Sequence, residues 1–152
     1  MSELIIRKAV AADLPVLLEF EQGIIAWERP FDPTLKPGSI SYYDLGAMLQ
    51  NTNAMIMVAE IGGKVIGSGY ARIDPAKPYL RHEQYAYLGF MYVLPEYRGR
   101  GINKKIIDAL KEWSSTQNIK EFRLEVYADN DPAIKAYEKI GFRKHMIEMR
   151  LE

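Results

Sequence analysis

The chain has 152 residues, of which 48% are hydrophobic and 26% are charged, and its 20 basic residues balance 20 acidic ones. This is the composition of one globular domain, and the balanced charge gives no general affinity for nucleic acid or anionic membranes. The sequence contains no cysteine, which excludes disulfides, thiolate metal sites and a cysteine nucleophile, and its two histidines are too far apart in sequence to indicate a metal site. No apolar run is long enough to span a bilayer, and the N-terminus has no signal-peptide core, so we expect a soluble cytoplasmic protein.

The first half of the chain predicts a strand, a covering helix and a β-hairpin. Gly62 and Gly63 stand between two β-like runs and are a strong hairpin signal. The prolines within residues 27–41 indicate a loop before a second short helix. In order, the predicted elements are a strand at Leu4–Lys8, a helix that opens at residues 11–15, the loop, a short helix at residues 42–50, and strands at residues 54–60 and 64–73.

The second half predicts a buried strand followed by alternating helices and strands. The nearly continuous apolar run at residues 85–94 is typical of a strand that is buried on both faces. In the strand predicted at residues 122–127, Leu124 should face one side of the sheet, and Glu125 and Tyr127 the other. The other predicted elements are a helix at residues 102–113, a helix that Asp131 caps and Gly141 ends, and a last strand at residues 145–151. This order predicts a single α/β (or α+β) domain over residues 1–152, with a mixed sheet and helices on both faces.

Residues 93–104 have the pattern of an anion-binding turn between a strand and a helix. The first N–H groups of a helix have no partner within the helix, and the helix dipole adds partial positive charge there. Gly99 and Gly101 would let the backbone approach a ligand closely, and Arg98 and Arg100 would add charge. Taken alone, the pattern also fits an ordinary turn with solvated arginines.

Two motifs in the sequence resemble those of one enzyme family. Residues 98–103, with residues 91–97 before them, resemble the acyl-CoA-binding signature of the GNAT family of N-acetyltransferases. Residues 130–142 resemble the second motif of this family, and the order of elements matches over essentially the whole chain. The resemblance implies a GNAT-like mixed, mostly antiparallel sheet of about seven strands. It also implies an N-acetyltransferase that uses acetyl-CoA as cosubstrate.

The resemblance further implies where acetyl-CoA binds. Its pyrophosphate would lie on the turn and the start of the helix, and its pantetheine arm would pair with the end of the preceding strand. This requires the strands predicted at residues 85–94 and 122–127 to splay apart. Asn103 departs from the family's pattern, which has Gly or Ala there, although its backbone N–H is retained. The cosubstrate-binding residues that the resemblance implies are Met91, Tyr92, Val93, Arg98, Gly99, Arg100, Gly101, Ile102, Asn103, Lys104, Asn130 and Tyr137.

The resemblance also implies catalytic roles for two side chains. Tyr137 stands where the family places a tyrosine near the thioester sulfur, as general acid, and the alternative is a core tyrosine. Glu125 resembles the glutamate that serves as base in ribosomal-protein N-terminal alanine acetyltransferases, and the alternative is a strand carboxylate paired with Arg123 or a lysine. Glu83, just before the central strand, is a second candidate for the base. Because the sequence lacks cysteine, we expect the amine to attack the thioester directly.

The acceptor is expected to be a primary amine in a small molecule, a peptide or a protein. The family places its acceptor-binding residues where this chain has Trp27, Glu28 and Phe31, with Asp32 beside them. Their carboxylates would suit a cationic amine, and solvated loop charges are the alternative.

Other functions are left open by the sequence. One is a catalytically inactive CoA-binding sensor or scaffold of the same fold. A nucleotide-phosphate enzyme is disfavoured, because the turn lacks the Gly-Lys-[Ser/Thr] that places a lysine and a magnesium ligand. No metal, nucleic acid or membrane partner is expected, and the oligomeric state, including a homodimer, is open.

Overall fold

The structure, a computed structural model, describes residues 2–152 and is built around one five-stranded sheet. The strands lie side by side in sequence order; the first four pair antiparallel, and the fifth pairs parallel with the fourth. Gly62 and Gly63 both have positive φ, at 58° and 80°, which gives the tight turn between the second and third strands. The strands are β1 at Leu4–Lys8, β2 at Ala54–Ile61, β3 at Lys64–Pro75, β4 at Gln84–Val93 and β5 at Phe122–Arg123.

Four α-helices accompany the sheet, and within residues 2–152 each is too short or too polar to cross a bilayer. Short 3-10 turns at Ala11–Asp13, Arg29–Phe31 and Pro95–Tyr97 connect them to the strands. The helices are α1 at Leu14–Glu28, α2 at Leu45–Met48, α3 at Ile102–Thr116 and α4 at Asp131–Ile140.

Two apolar cores form, one on each face of the sheet. On one face, α1 and α2 cover β3 and β4, with Leu17, Phe20 and Tyr70 buried between them. On the other face, α3 packs Ile106 and Leu110 against the sheet, and side chains of α4 lie at the edge of this core. The α/β architecture with helices on both faces, expected from the sequence, is therefore confirmed.

The sheet differs from the expected one in its last third. Five strands form where the resemblance implies about seven. The strand predicted at residues 122–127 pairs only at Phe122–Arg123, because the chain leaves β4 after that point. The strand predicted at residues 145–151 does not form, because no neighbouring strand pairs with these residues. The predicted cap of α4 is also wrong by one residue: Asn130, and not Asp131, is the N-cap, since its Oδ1 accepts the N–H of Ala133.

Candidate functional site

The edge of β4 that faces β5 becomes free after Tyr87. β4 and β5 pair only at Ala86 with Phe122 and at Tyr87 with Arg123. Further along β4, Phe90 has a φ of 58°, and the register with β3 shifts at this point. A positive φ is rare for a bulky residue, and such a bulge bends the strand. The two strands therefore separate, as the resemblance requires, and leave a slot between β4 and the chain that follows β5.

Two residues of β4 direct their backbone groups into this slot. The N–H of Leu94 donates to the carbonyl of Ile66 in β3, at 2.8 Å. Backbone groups alternate between the two edges of a strand, so those of Val93 and Met91 point to the opposite edge, into the slot. Tyr92 instead has its backbone toward β3, and its ring packs on Phe20 at 5.0 Å between centroids. Of the three pairing residues expected here, Met91 and Val93 are placed to pair with a ligand.

The turn at the start of α3 presents a row of free backbone N–H groups. Within residues 2–152, none of the N–H groups from residue 99 to residue 104 donates to another group; the first to do so is Lys105, to the carbonyl of Gly101. Gly99 and Gly101 have φ values of 78° and 75°, and a Cβ at either would meet nothing within 4 Å. The glycines are thus required by backbone conformation, and the space above them is open. Such a cradle fits a pyrophosphate.

The cationic side chains at this turn are held by the chain itself. Arg98 donates from Nε to the carbonyl of Val93 at 2.8 Å, and its guanidinium lies 5.5 Å from the ring centroid of Tyr92. Arg100 donates to the carbonyl of Glu96 at 3.2 Å. These contacts keep both positive charges near the turn.

Lys104 and Asn103 are polar side chains at the start of α3. Lys104 forms an ion pair with Asp108 at 2.8 Å, as is usual for a lysine on the solvent-exposed face of a helix. The side chain of Asn103 makes no hydrogen bond within residues 2–152, so it can turn toward or away from a ligand without breaking a contact.

Tyr137 lies on the α3 side of the sheet, half-buried, with its ring 5.9 Å from that of Phe142. Its hydroxyl makes no hydrogen bond within residues 2–152. Burial first, and then the negative charge of Glu28, raise the pKa of Tyr137 to about 12. The hydroxyl is therefore a neutral donor without an internal partner.

Glu125 lies on the opposite side of its chain segment from Leu124, as the alternation predicts. Its Oε1 accepts the hydroxyl of Tyr87 at 2.8 Å, whereas Leu124 packs on the α3 side. Burial first, and then this carboxylate, raise the pKa of Tyr87 well above its ordinary value. Glu83 precedes β4 by one residue and lies about 13 Å along the strand from Tyr87, on the paired side of the splay. The structure thus brings Glu125, but not Glu83, to the slot.

Carboxylates and aromatic rings gather where α1 ends, near the chain after β5. Phe31 stacks on Tyr127 at 6.0 Å, and the hydroxyl of Tyr127 donates to Oδ2 of Asp32 at 3.2 Å. Burial raises the pKa of Glu28, and the nearby hydroxyl of Tyr42 lowers it by less. We call this the α1-end cluster: Glu28, Phe31, Asp32, Tyr42 and Tyr127. Trp27, also expected here, is 55% exposed and makes no contact with another aromatic ring within residues 2–152.

Tyr42 is the member of the cluster that sequence reasoning missed. Its hydroxyl is buried and faces Glu28, without a hydrogen bond of good geometry to any group of residues 2–152. The backbone here is fixed by Glu21, a buried carboxylate of α1 that accepts the N–H groups of Tyr42 and Tyr43 at 3.0 and 2.8 Å. The signal in the sequence was a carboxylate on the apolar stripe of α1, which needs internal donors if it is buried.

Asn130 is buried, and its side-chain oxygen caps α4. This contact explains the residue without a ligand, so its expected hydrogen bond to the cosubstrate would have to come from its amide N–H groups.

Comparison with known proteins places these features in a family. Residues 22–142 match the model of the acetyltransferase (GNAT) family. The chain is 32% identical over 124 residues to "Acetyltransferase SG1711" of Sodalis glossinidius (strain morsitans), covering 82% of this chain and 80% of that one.

Solved structures share the fold at lower identity. A mutant of the BH1408 protein from Bacillus halodurans superposes with a TM-score of 0.87 at 19% identity, over 97% of this chain and 98% of that one. The aminoglycoside N-acetyltransferase AAC(6')-Iy in complex with CoA gives a TM-score of 0.76 at 22% identity, over 100% and 95% of the two chains.

Proposed function

Because the chain belongs to the acetyltransferase (GNAT) family, we propose that it transfers the acetyl group of acetyl-CoA to a cationic primary amine by direct attack in a ternary complex. Its class as an acetyl-CoA-dependent N-acetyltransferase, expected from the motifs, is confirmed by the family match and the relatives. The nature of the acceptor and the roles of individual residues belong to the proposal.

The observation that carries the proposal is the slot itself. It begins at a turn with six consecutive free N–H groups, runs along the unpaired edge of β4, and has carboxylates and tyrosines on the α1 side. The negative charge of Glu28 contributes to the raised pKa of Tyr137, which supports placing both side chains along the slot. A thioester in the slot would therefore have a hydroxyl donor on one side and carboxylates on the other.

The cosubstrate would be held mainly by backbone. The free N–H groups of residues 99–104 would bind the pyrophosphate, and Met91 and Val93 would pair with the amide groups of the pantetheine arm. Arg98 connects the two regions, because its guanidinium is bonded to the carbonyl of Val93.

The amine must lose a proton before it attacks. A lysine-like amine with a pKa of about 10.4 is neutral in about one molecule in 10³ at pH 7, which corresponds to about 4–5 kcal/mol. We assign the base to Glu125, which borders the slot and is oriented by Tyr87, and the binding of the ammonium group to Glu28 and Asp32. Two carboxylates on the acceptor side favour an acceptor with more than one positive charge.

The test is an acetyl-CoA-dependent thiol-release assay with a panel of amines, followed by mass analysis of the product. The panel holds a polyamine, an aminoglycoside (since one structural neighbour is an aminoglycoside N-acetyltransferase), a lysine peptide and a peptide with a free α-amine only. We expect the polycationic amines to give the highest kcat/KM. CoA binding without turnover of any amine would favour the inactive binding domain instead.

Glu125→Gln and Glu83→Gln form a matched pair for the base. We expect Glu125→Gln to lower kcat by about 10²–10⁴ with little change in KM, and Glu83→Gln to leave kcat within about twofold. The opposite result would transfer the role to Glu83.

A further inference from the structure

The bulge in β4 is held by the hydroxyl of one buried serine, Ser68 of β3. Two residues of β4, Phe90 and Met91, lie opposite the single residue Gly69 of β3. Ser68 is fully buried and donates its hydroxyl to the carbonyl of Phe90 at 3.1 Å. A bulky side chain rarely adopts the positive φ of Phe90, so the surrounding residues must hold this conformation. The hydroxyl of Ser68 supplies the hydrogen bond that does so.

The peptide group that follows Phe90 connects this hydrogen bond to the slot. Its carbonyl belongs to Phe90 and its N–H to Met91, and in a planar trans peptide these two groups point in opposite directions. Because the carbonyl is directed at Ser68 in β3, the N–H of Met91 is directed away from β3, toward the unpaired edge of β4. The alternation of backbone groups back from Leu94 gives the same direction.

The side chain of Met91 is held on the other face of the sheet. Ser68 lies on the face of β3 that carries Tyr70 and is covered by α1, whereas Gly69 faces α3. A Cβ at Gly69 would come within 2.6 Å of the sulfur of Met91, so this sulfur lies in the space that the glycine leaves. The bulge is therefore fixed from both faces, by a hydrogen bond on one and by close packing on the other.

We propose that Ser68 is a positioning residue for acetyl transfer, because its hydroxyl holds the bulge carbonyl and thereby aims the N–H of Met91 at the cosubstrate. The inference rests on the proposed function, in which Met91 pairs with acetyl-CoA. Ser68 acts through Met91 and not on the ligand, since its side chain is fully buried. Without the hydroxyl, the buried carbonyl of Phe90 would lose its partner and the peptide group would be free to rotate. The same rotation turns the N–H of Met91 out of the slot.

Ser68→Ala is compared with Ser114→Ala, its matched control. Ser114 is also fully buried and donates its hydroxyl to one backbone carbonyl, that of Leu110, at 2.8 Å. It lies about 18 Å along α3 from Ile102, away from the turn that would bind the pyrophosphate. Each substitution should lower Tm by less than about 10 °C. Only Ser68→Ala should raise the Kd of acetyl-CoA in calorimetry, by about 3- to 10-fold, the loss expected for one hydrogen bond.

Ser68→Thr separates positioning from stability. Threonine keeps the hydroxyl but adds a methyl group at a fully buried site, so Tm should fall for this variant too. Its Kd for acetyl-CoA should nevertheless stay within about twofold of the native value, because the carbonyl of Phe90 keeps its donor. Affinities of the three variants that follow Tm, and not the presence of the hydroxyl at residue 68, would overturn the proposal.

The amide of Met91 reports the orientation of the peptide group directly. The chain has seven methionines, so isotope labelling of methionine nitrogen gives few amide signals in NMR spectra, and Met91→Leu identifies the signal of Met91. We expect saturating acetyl-CoA to shift this signal in the native protein and in Ser114→Ala, and to shift it by about half as much or less in Ser68→Ala. Equal shifts in all three proteins would contradict the proposed role of Ser68.

These measurements need no acceptor, so they distinguish this inference from the proposed function. A native protein that binds acetyl-CoA but acetylates no amine would end the proposed transfer, while the Kd values and the Met91 signal would still decide the role of Ser68. A native protein that does not bind acetyl-CoA would overturn both. Native affinity in Ser68→Ala would overturn this inference alone.

Discussion

Replacing Tyr137 by Phe removes one hydroxyl from the slot and leaves the packing in place. The ring keeps its contact with Phe142, and the hydroxyl has no hydrogen bond to lose within residues 2–152. We therefore expect the free energy of unfolding to change by less than about 0.5 kcal/mol. A change in turnover can then be attributed to the chemistry.

The size of the effect follows from the pKa of this hydroxyl. Burial raises the pKa of Tyr137 to about 12, whereas a thiol has a pKa of about 8.5. Complete transfer of the proton to the leaving thiolate is then unfavourable by about 3.5 pKa units, or about 5 kcal/mol. Tyr137 would instead donate a hydrogen bond to the sulfur as its charge develops. A hydrogen bond to a charged group contributes about 1.5–3 kcal/mol, so we expect kcat to fall by about 10- to 150-fold.

The assay compares kcat from thiol release with the Kd of CoA from calorimetry. We expect Tyr137→Phe to lower kcat and to change the Kd by less than about twofold. Tyr79→Phe is the control, because Tyr79 is 78% exposed and lies outside the slot. Unchanged kcat would remove Tyr137 from the mechanism, and a loss above about 10⁴ would show that it transfers its proton fully after all.

Two further substitutions probe the two ends of the slot. Gly101→Val is compared with Gly38→Val, its control, because both glycines have a positive φ (75° and 82°) and open space around them. Each substitution should destabilise the fold by at least about 1–2 kcal/mol. Only Gly101→Val should also weaken CoA binding, by about tenfold or more in calorimetry. Equal CoA affinity of the two variants would make Gly101 a purely structural glycine. Burial raises the pKa of Glu28, and protonation removes the charge that would bind the amine, so native kcat/KM should fall as the pH falls through that raised pKa. Glu28→Gln should lack this fall in kcat/KM at low pH and should have a higher KM for the amine. The pKa of Glu28 is higher in the folded state than in the unfolded state, so the ionised carboxylate destabilises the folded protein. Glu28→Gln should therefore raise Tm at pH 7, where Glu28 is ionised, but not at pH 4. A lower Tm of the variant at pH 7 would contradict a destabilising effect of the ionised carboxylate.

Local patterns in the sequence predict most of the sheet and helices. Gly62 and Gly63 mark the hairpin, and the apolar stripe that begins at Ile102 marks α3, because both features depend on residues close together in the chain. The alternation of Leu124 and Glu125 also predicts that these two side chains lie on opposite sides of the sheet. The anion-binding turn is likewise local, and its glycines adopt the positive φ values that their positions suggest.

Features that depend on long-range contacts are not visible in the sequence. Gly89 inside the strand pattern is compatible with a bulge, but the positive φ of Phe90 arises where β4 loses register with β3, and this register depends on both strands. Tyr42 lies beside Glu28 because a carboxylate from another element binds its backbone. Residues 145–151 have the pattern of a strand, but pairing requires a neighbour that the pattern cannot supply. The resemblance to a family predicts the slot, whereas composition and periodicity alone do not.

The buried carboxylate of Glu21 makes the position of Tyr42 independent of the loop that precedes it. It fixes the backbone of Tyr42 and Tyr43 to α1 directly, so the position of Tyr42 does not depend on the residues between Arg29 and Ile40. Insertions or changes of charge in that interval would alter what the slot admits while Tyr42 stays in place. An enzyme built this way can acquire a new acceptor by changing one exposed loop, with no rearrangement of the core on which its cosubstrate depends.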